Sequence, residues 1–159
     1  RAEPRASLAI VGRQPPRDLE RLAAAYPDVL VTGTVPDVRP YLAGAAVYVV
    51  PLRVGGGTRL KILEAVAMAK PVVSTTVGCE GLALTPERHL LVADEPEAFA
   101  AAVLRLFEDP ALADRLAQVG RSVVQGTYGW DTIAGSLEEA LQGLLAPGDD
   151  RPCAASLAS

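Results

Sequence analysis

The feature that most constrains this chain is an apolar, β-branched run over residues 46–50 that passes through three consecutive glycines into a helical pattern. The stretch reads Val50-Pro51-Leu52-Arg53-Val54-Gly55-Gly56-Gly57-Thr58-Arg59-Leu60-Lys61-Ile62-Leu63-Glu64-Ala65. Glycines at such a junction let the backbone turn sharply and bring its N–H groups close to a ligand. The first helical turn carries unpaired N–H groups and about half a positive charge from the macrodipole. Arg59 and Lys61 nevertheless fall in that turn, with Arg53 just upstream. Cations there cost about 0.3–1 kcal/mol each at exposed sites. A bound anion reverses the sign, and phosphate is the usual anion at a helix start. The pattern therefore predicts a diphosphate site. It is not a Walker loop, because the Gly-Lys-Ser/Thr ending is missing.

Short apolar runs alternate with helical patterns along most of the chain. Strands are expected at 8–11, 29–31, 46–50, 71–74 and 90–92, and helices at 17–25, 38–43 and from the glycine loop to Met68. From Pro96 the pattern is wholly helical, with helices at 96–107, 110–125 and 132–145. Pro96 and Pro110 stand where N1 prolines belong. This alternation predicts an α/β fold with a doubly wound parallel sheet, covered on both faces and followed by C-terminal helices. Ligands of such folds bind beyond the carboxyl ends of the strands. Gly12-Arg13, Gly33-Thr34 and the loops 53–57 and 75–81 lie at such ends and are expected to converge. Residues 147–159 show no periodicity and are expected to be a disordered tail beyond a domain spanning 1–146.

Composition removes several function classes. A net charge of −4 leaves no basic excess to neutralise a nucleic-acid backbone. No apolar run reaches the ~20 residues needed to span a bilayer. Cys79 and Cys153 stand far apart, which suggests neither a disulfide framework nor a metal knuckle, and a reducing cytoplasm is the default compartment. No metal site is expected.

At residues 55–65 the chain resembles the C-terminal domain of retaining glycosyltransferases of the GT-B fold, the family 4 or group 1 type. Further support comes from Ile10-Val11-Gly12, residues 31–35 and 42–47, the run 55–69, Pro71-Val72-Val73-Ser74, Gly78-Cys79-Glu80-Gly81-Leu82 and Tyr128-Gly129-Trp130. The similarity covers about residues 7–145. Within the family it looks most similar to sugar transferases of exopolysaccharide or cell-surface glycan assembly.

The resemblance implies a Rossmann-like half of a GT-B fold that binds a nucleotide-diphospho-sugar donor, with no separate cofactor. Gly55, Gly56, Gly57, Thr58, Arg59 and Lys61 would meet the diphosphate and sugar, and Glu64 the ribose hydroxyls. Arg13 would line the donor cleft, the backbone at Thr34 and Val35 would meet the base, and the N–H groups of Glu80 and Gly81 would touch the sugar. The family often carries a second glutamate eight positions before the first; here Gly56 stands there. The family's domain also begins with one further strand and helix, whose Arg and Lys grip the phosphates, after an N-terminal acceptor domain. This chain starts at Arg1 and is expected to lack both, and to be inactive by itself. The implied partners of the full-length protein are the donor, a glycan or lipid-linked acceptor held by the other domain, and the inner face of a membrane, reached peripherally.

Other readings stay open on the residues alone. A UDP-sugar 2-epimerase half-domain shares the architecture but needs carboxylates and a histidine around the sugar. A receiver-like signalling module needs an acidic cluster at the strand ends, and a stand-alone nucleotide sensor needs no acceptor half. Glu64 could pair with Lys61 one turn earlier, although that order of charges is the poorer one. Asp37 reads as an N-cap, His89 as a loop cap, Cys79 as a packed small residue and Trp130 as a packing anchor for the last helix.

Overall fold

The computed structural model describes residues 6–145. The chain divides into two compact units, residues 1–125 and 126–159. In the first, five strands are connected by helices: β1 (Leu8–Val11), α1 (Arg17–Ala25), β2 (Val29–Gly33), α2 (Arg39–Gly44), β3 (Tyr48–Val50), α3 (Leu60–Ala67), β4 (Val72–Ser74), α4 (Thr76–Cys79), β5 (Leu91–Val92) and α5 (Pro96–Glu108). Helix α6 (Pro110–Tyr128) runs across the boundary, and α7 (Trp130–Leu145) lies in the second unit.

Every strand pairing is parallel, as the alternation of strands and helices requires. The strands form two ladders rather than one continuous sheet: β1 with β2, and β3-β4-β5. Leu8, Ala9 and Ile10 face Val29, Leu30 and Val31, and the register shifts before Val11 meets Gly33. In the second ladder Val50 lies opposite Ser74, and Ser74 opposite Val92. The third strand is shorter than the apolar run 46–50 suggests, starting at Tyr48. Residues 76–79, expected in a loop, form the short helix α4. Thr75 caps it by accepting the Gly78 N–H at 3.0 Å. Nothing is described of residues 147–159, so the expectation of a disordered tail lies outside the described residues, as does Cys153.

The core sits on the three-stranded ladder, where all of β4 is buried. Val73 and Leu91 pack with Leu106 of α5 and with Leu112 and Leu116 of α6. Ile62, Ala65 and Val66 of α3 are fully buried. The i, i+3, i+4 spacing of these three places them on one helical stripe. Lys70 then ties two elements together: its ammonium donates to the carbonyls of Ala43 at 2.6 Å and Ala45 at 3.1 Å, at the end of α2. A cation belongs at such a carboxyl terminus.

His89 is 6% exposed, and its Nδ1 accepts the Thr85 N–H at 2.8 Å, so it satisfies a loop as expected. Asp37 accepts the Arg39 N–H at 2.9 Å and pairs with the Arg39 guanidinium, which holds its carboxyl below the usual range. Cys79 is half-buried, with its thiol donating to the Thr75 carbonyl. Trp130 is 85% exposed, and Ile133, Leu137, Leu141 and Leu144 form an exposed apolar stripe with it along α7.

Gly78 allows α4 to approach the sheet. A Cβ there would stand 2.3 Å from Ser74 Oγ and 3.1 Å from the Val50 carbonyl oxygen. Gly78→Ala should therefore destabilise the domain by about 1–3 kcal/mol, as overpacking does, read as a lower urea midpoint. Burial, and secondarily the charge of Arg88, lowers the His89 pKa below its ordinary 6.5. Above pH 6.5 the residue is neutral whether folded or not. Below it the unfolded chain takes up a proton that the folded chain resists, so stability falls as pH drops from 6.5 toward the folded value. The urea midpoint should decline between pH 7.5 and 5.5, and His89→Gln should flatten that decline.

Candidate functional site

The loops leaving the carboxyl ends of β3, β4 and β5 are bound to one another. Thr75 donates its hydroxyl to the Leu52 carbonyl, and its N–H to the Val50 carbonyl at 3.2 Å. Asp94, just after β5, accepts both the N–H and the hydroxyl of Thr76 at 2.7 Å. Those two bonds hold its carboxyl below the usual range. None of these three residues was singled out by sequence reasoning. The signal was present: two threonines directly after an apolar run are natural caps.

The glycine loop has its own internal staple. Arg59, the residue that caps α3 at its amino end, is 6% exposed. Its guanidinium donates to the carbonyls of Gly55 at 2.9 Å and Gly56 at 3.1 Å, and lies 3.7 Å from the Glu80 carboxylate. Arg59, expected to meet phosphate, is engaged here by these loop partners. Its charge is turned inward, onto the loop.

That inward turn has a stereochemical consequence. All peptide bonds among the described residues are trans, and in a planar trans peptide the carbonyl and the following N–H point in opposite directions. With the Gly55 and Gly56 carbonyls directed at Arg59, the N–H groups of Gly56 and Gly57 point away from it. Among the described residues these two N–H groups and that of Thr58 have no acceptor. Gly57 has φ +85°, a conformation that favours glycine. A Cβ on Gly56 would meet nothing within 4 Å, so no steric demand explains glycine there.

A cleft of ≈1120 Å³ opens beside this loop, along β1 and β3. Lys61 and Glu64, one turn apart on the exposed side of α3, line it together with Tyr48, Pro51 and Leu52. No ion pair joins Lys61 to Glu64 among the described residues. The Tyr48 hydroxyl is raised in pKa by burial and by the nearby Glu64 charge. Gly55, Gly56, Gly57 and Thr58 border this end of the cleft in sequence but do not line it. Arg13 and Thr34 follow the paired ends of β1 and β2, and both are exposed. Val35, Glu80 and Gly81 also lie outside the lining. The expected convergence is thus met pairwise: the loops after β3 and β4 are joined through Arg59–Glu80 and Thr75–Leu52, and those after β1 and β2 by strand pairing.

No three residues among His, Cys, Asp and Glu gather closely enough to hold a metal among the described residues, and no described helix is long and apolar enough to cross a membrane.

The family model described as glycosyl transferases group 1 matches residues 1–109. Sucrose-phosphate synthase from Thermosynechococcus elongatus is similar at 30% identity with a TM-score of 0.76, over 90% of this chain and 39% of that one. HepE from Anabaena, solved in complex with UDP, is similar at 16% identity and a TM-score of 0.73, over 89% and 42%. The C-terminal domain of a group 1 family protein, LpcC, from Francisella tularensis matches at 20% identity and a TM-score of 0.67, over 78% and 70%. The chain spans about two fifths of the first two structures. No curated protein matches it.

Replacing Arg59 tests the staple. Arg59→Met keeps the apolar stem but leaves two glycine carbonyls without a donor, at a cost of about 1–3 kcal/mol. Amide exchange at residues 55–58 should accelerate, while exchange in the core of α3 should change little.

Proposed function

The chain belongs to the group 1 glycosyl transferases, and we propose that it forms the donor-binding half of an enzyme that transfers a sugar from a nucleoside diphosphate to an acceptor hydroxyl. The observation that carries this reading is the arrangement at the head of α3. Two outward glycine N–H groups and the helix dipole lie at the amino end of the same helix whose exposed Lys61 and Glu64 line one cleft.

Each part has a role in that chemistry. The N–H groups of Gly56, Gly57 and Thr58 and the Lys61 ammonium stabilise charge building on the leaving diphosphate. Glu64 accepts two hydrogen bonds from the ribose diol and so orients the nucleoside. Arg59 contributes by fixing the loop's polarity rather than by touching phosphate. Gly55 supplies a carbonyl to that staple, and Glu80 its counter-charge. The N–H groups of Glu80 and Gly81 meet the donor sugar, the backbone at Thr34 and Val35 the base, and Arg13 the rim of the cleft.

The UDP in the HepE complex supports a nucleoside diphosphate as the ligand class. The reading extends to retention of anomeric configuration and to glycan assembly at the cytoplasmic face of a membrane, with the acceptor held by a second domain. The receiver-like alternative calls for an acidic cluster at the strand ends, and the described residues show none.

Calorimetric titration of UDP, GDP and ADP tests the proposal. At least one diphosphate should bind, and more tightly than its monophosphate. Glu64→Gln should weaken it about tenfold or more, the loss of one charged hydrogen bond, and Lys61→Ala should lower the preference for the diphosphate over the monophosphate. Indifference of the folded chain to all three nucleotides would sink the reading.

A further inference from the structure

The loop after β4 holds a carboxylate on a rigid support. Glu80 has φ −54° and ψ 135°, Gly81 has φ +78°, and the Leu82 N–H donates to the Cys79 carbonyl at 3.2 Å. These angles and that bond make residues 79–82 a type II turn, with glycine at the corner that requires a positive φ. The turn is tied to the ladder at its base. Thr75 accepts the Gly78 N–H at 3.0 Å, and Asp94 accepts the N–H and hydroxyl of Thr76 at 2.7 Å. The Glu80 side chain is 73% exposed, so the turn presents its carboxylate to solvent.

Arg59 draws that carboxylate to the glycine loop without using it up. The guanidinium lies 3.7 Å from Glu80 Oε2, near enough for attraction and too far for a hydrogen bond. Its hydrogen bonds go to the Gly55 and Gly56 carbonyls instead. The carboxylate keeps its capacity to accept about four hydrogen bonds. The guanidinium, committed to the loop and 6% exposed, offers no open fork to an anionic ligand.

Charge is divided unevenly around this junction. Arg53 and Lys61 belong to the glycine loop and its helix. Residues 71–87 contain no lysine or arginine, and their two acidic residues are Glu80 and Glu87. Glu87 is paired with Arg105 at 2.8 Å, and Asp94 is occupied by Thr76. Glu80 is thus the acid of this loop whose charge faces open solvent. A Cβ added to Gly56 or Gly81 would meet nothing within 4 Å, so both loops leave space beside their backbones.

We propose that the Glu80 carboxylate determines specificity for the donor's sugar, accepting hydrogen bonds from the hydroxyls of a neutral hexose and repelling a sugar that carries a carboxylate. This rests on the donor-site reading, and gives the side chain a selective role beside the backbone contact assigned there. Arg59 holds the turn against the glycine loop, so a hexose on a diphosphate bound to that loop adjoins Glu80. A hydroxyl can donate to the carboxylate. An ionised sugar acid presents a like charge there, with no free cation in residues 71–87 to offset it.

The test is calorimetric titration of the 159-residue chain with UDP, GDP and ADP, each beside its glucose and glucuronate conjugates. For the base that binds, the glucose conjugate should bind at least about tenfold more tightly than the glucuronate, the effect of one like-charge contact. Added salt should narrow that ratio. Glu80→Gln keeps an acceptor, removes the charge and should bring the ratio below about threefold, whereas Glu80→Asp should preserve the preference. The ratio is internal to each variant, so a general loss of stability cancels. Amide exchange at residues 55–58 reports whether the loop stays folded. A glucuronate conjugate that binds as tightly as its glucose partner, or a preference unchanged in Glu80→Gln, would overturn the proposal and leave the diphosphate site standing. Indifference to all three diphosphates would remove both.

Discussion

A buried guanidinium decides what the glycine loop can do. Arg59 stands where a helix dipole disfavours a cation, yet it is held there by two loop carbonyls and the Glu80 carboxylate. Drawing those carbonyls inward turns the next N–H groups outward, since a trans peptide cannot direct both groups the same way. The loop is thereby polarised before any ligand arrives. The cost of orienting those dipoles is met by folding.

The scaffold carries that polarity to the right place. Parallel strands deliver successive loops to one edge, and three side chains stitch those loops together: Thr75 to Leu52, Thr76 to Asp94 and Arg59 to Glu80. Each stitch joins segments from different strands, so the site is rigid in proportion to the ladder beneath it. The fully buried β4 supplies that rigidity, packed by α5 and α6 through Val73. The other ladder is built more lightly, with Leu30 54% exposed in β2.

How much of this was legible in the sequence depended on the range of the interaction. Parallel strands, crossover helices and the proline-started helices were readable, because apolar periodicity and proline placement act locally. So was the pairing of Lys61 with Glu64 on one wall, which follows from their three-residue spacing on a helix. The role of Arg59 was not. Its position suggested a phosphate ligand, and only the folded loop shows two carbonyls within its reach. The division of the sheet was hidden too, because strand order is a long-range property that no local pattern encodes.

Lys70 has a further consequence. The sequence contains only two lysines, Lys61 and Lys70. The second is half-buried and holds its ammonium against the Ala43 and Ala45 carbonyls, which restricts its access to acylating reagents. The first has no partner among the described residues. Electrophilic labelling of side-chain amines should thus discriminate between the two, marking the mouth of the cleft with a single adduct and making occupancy there directly readable by mass.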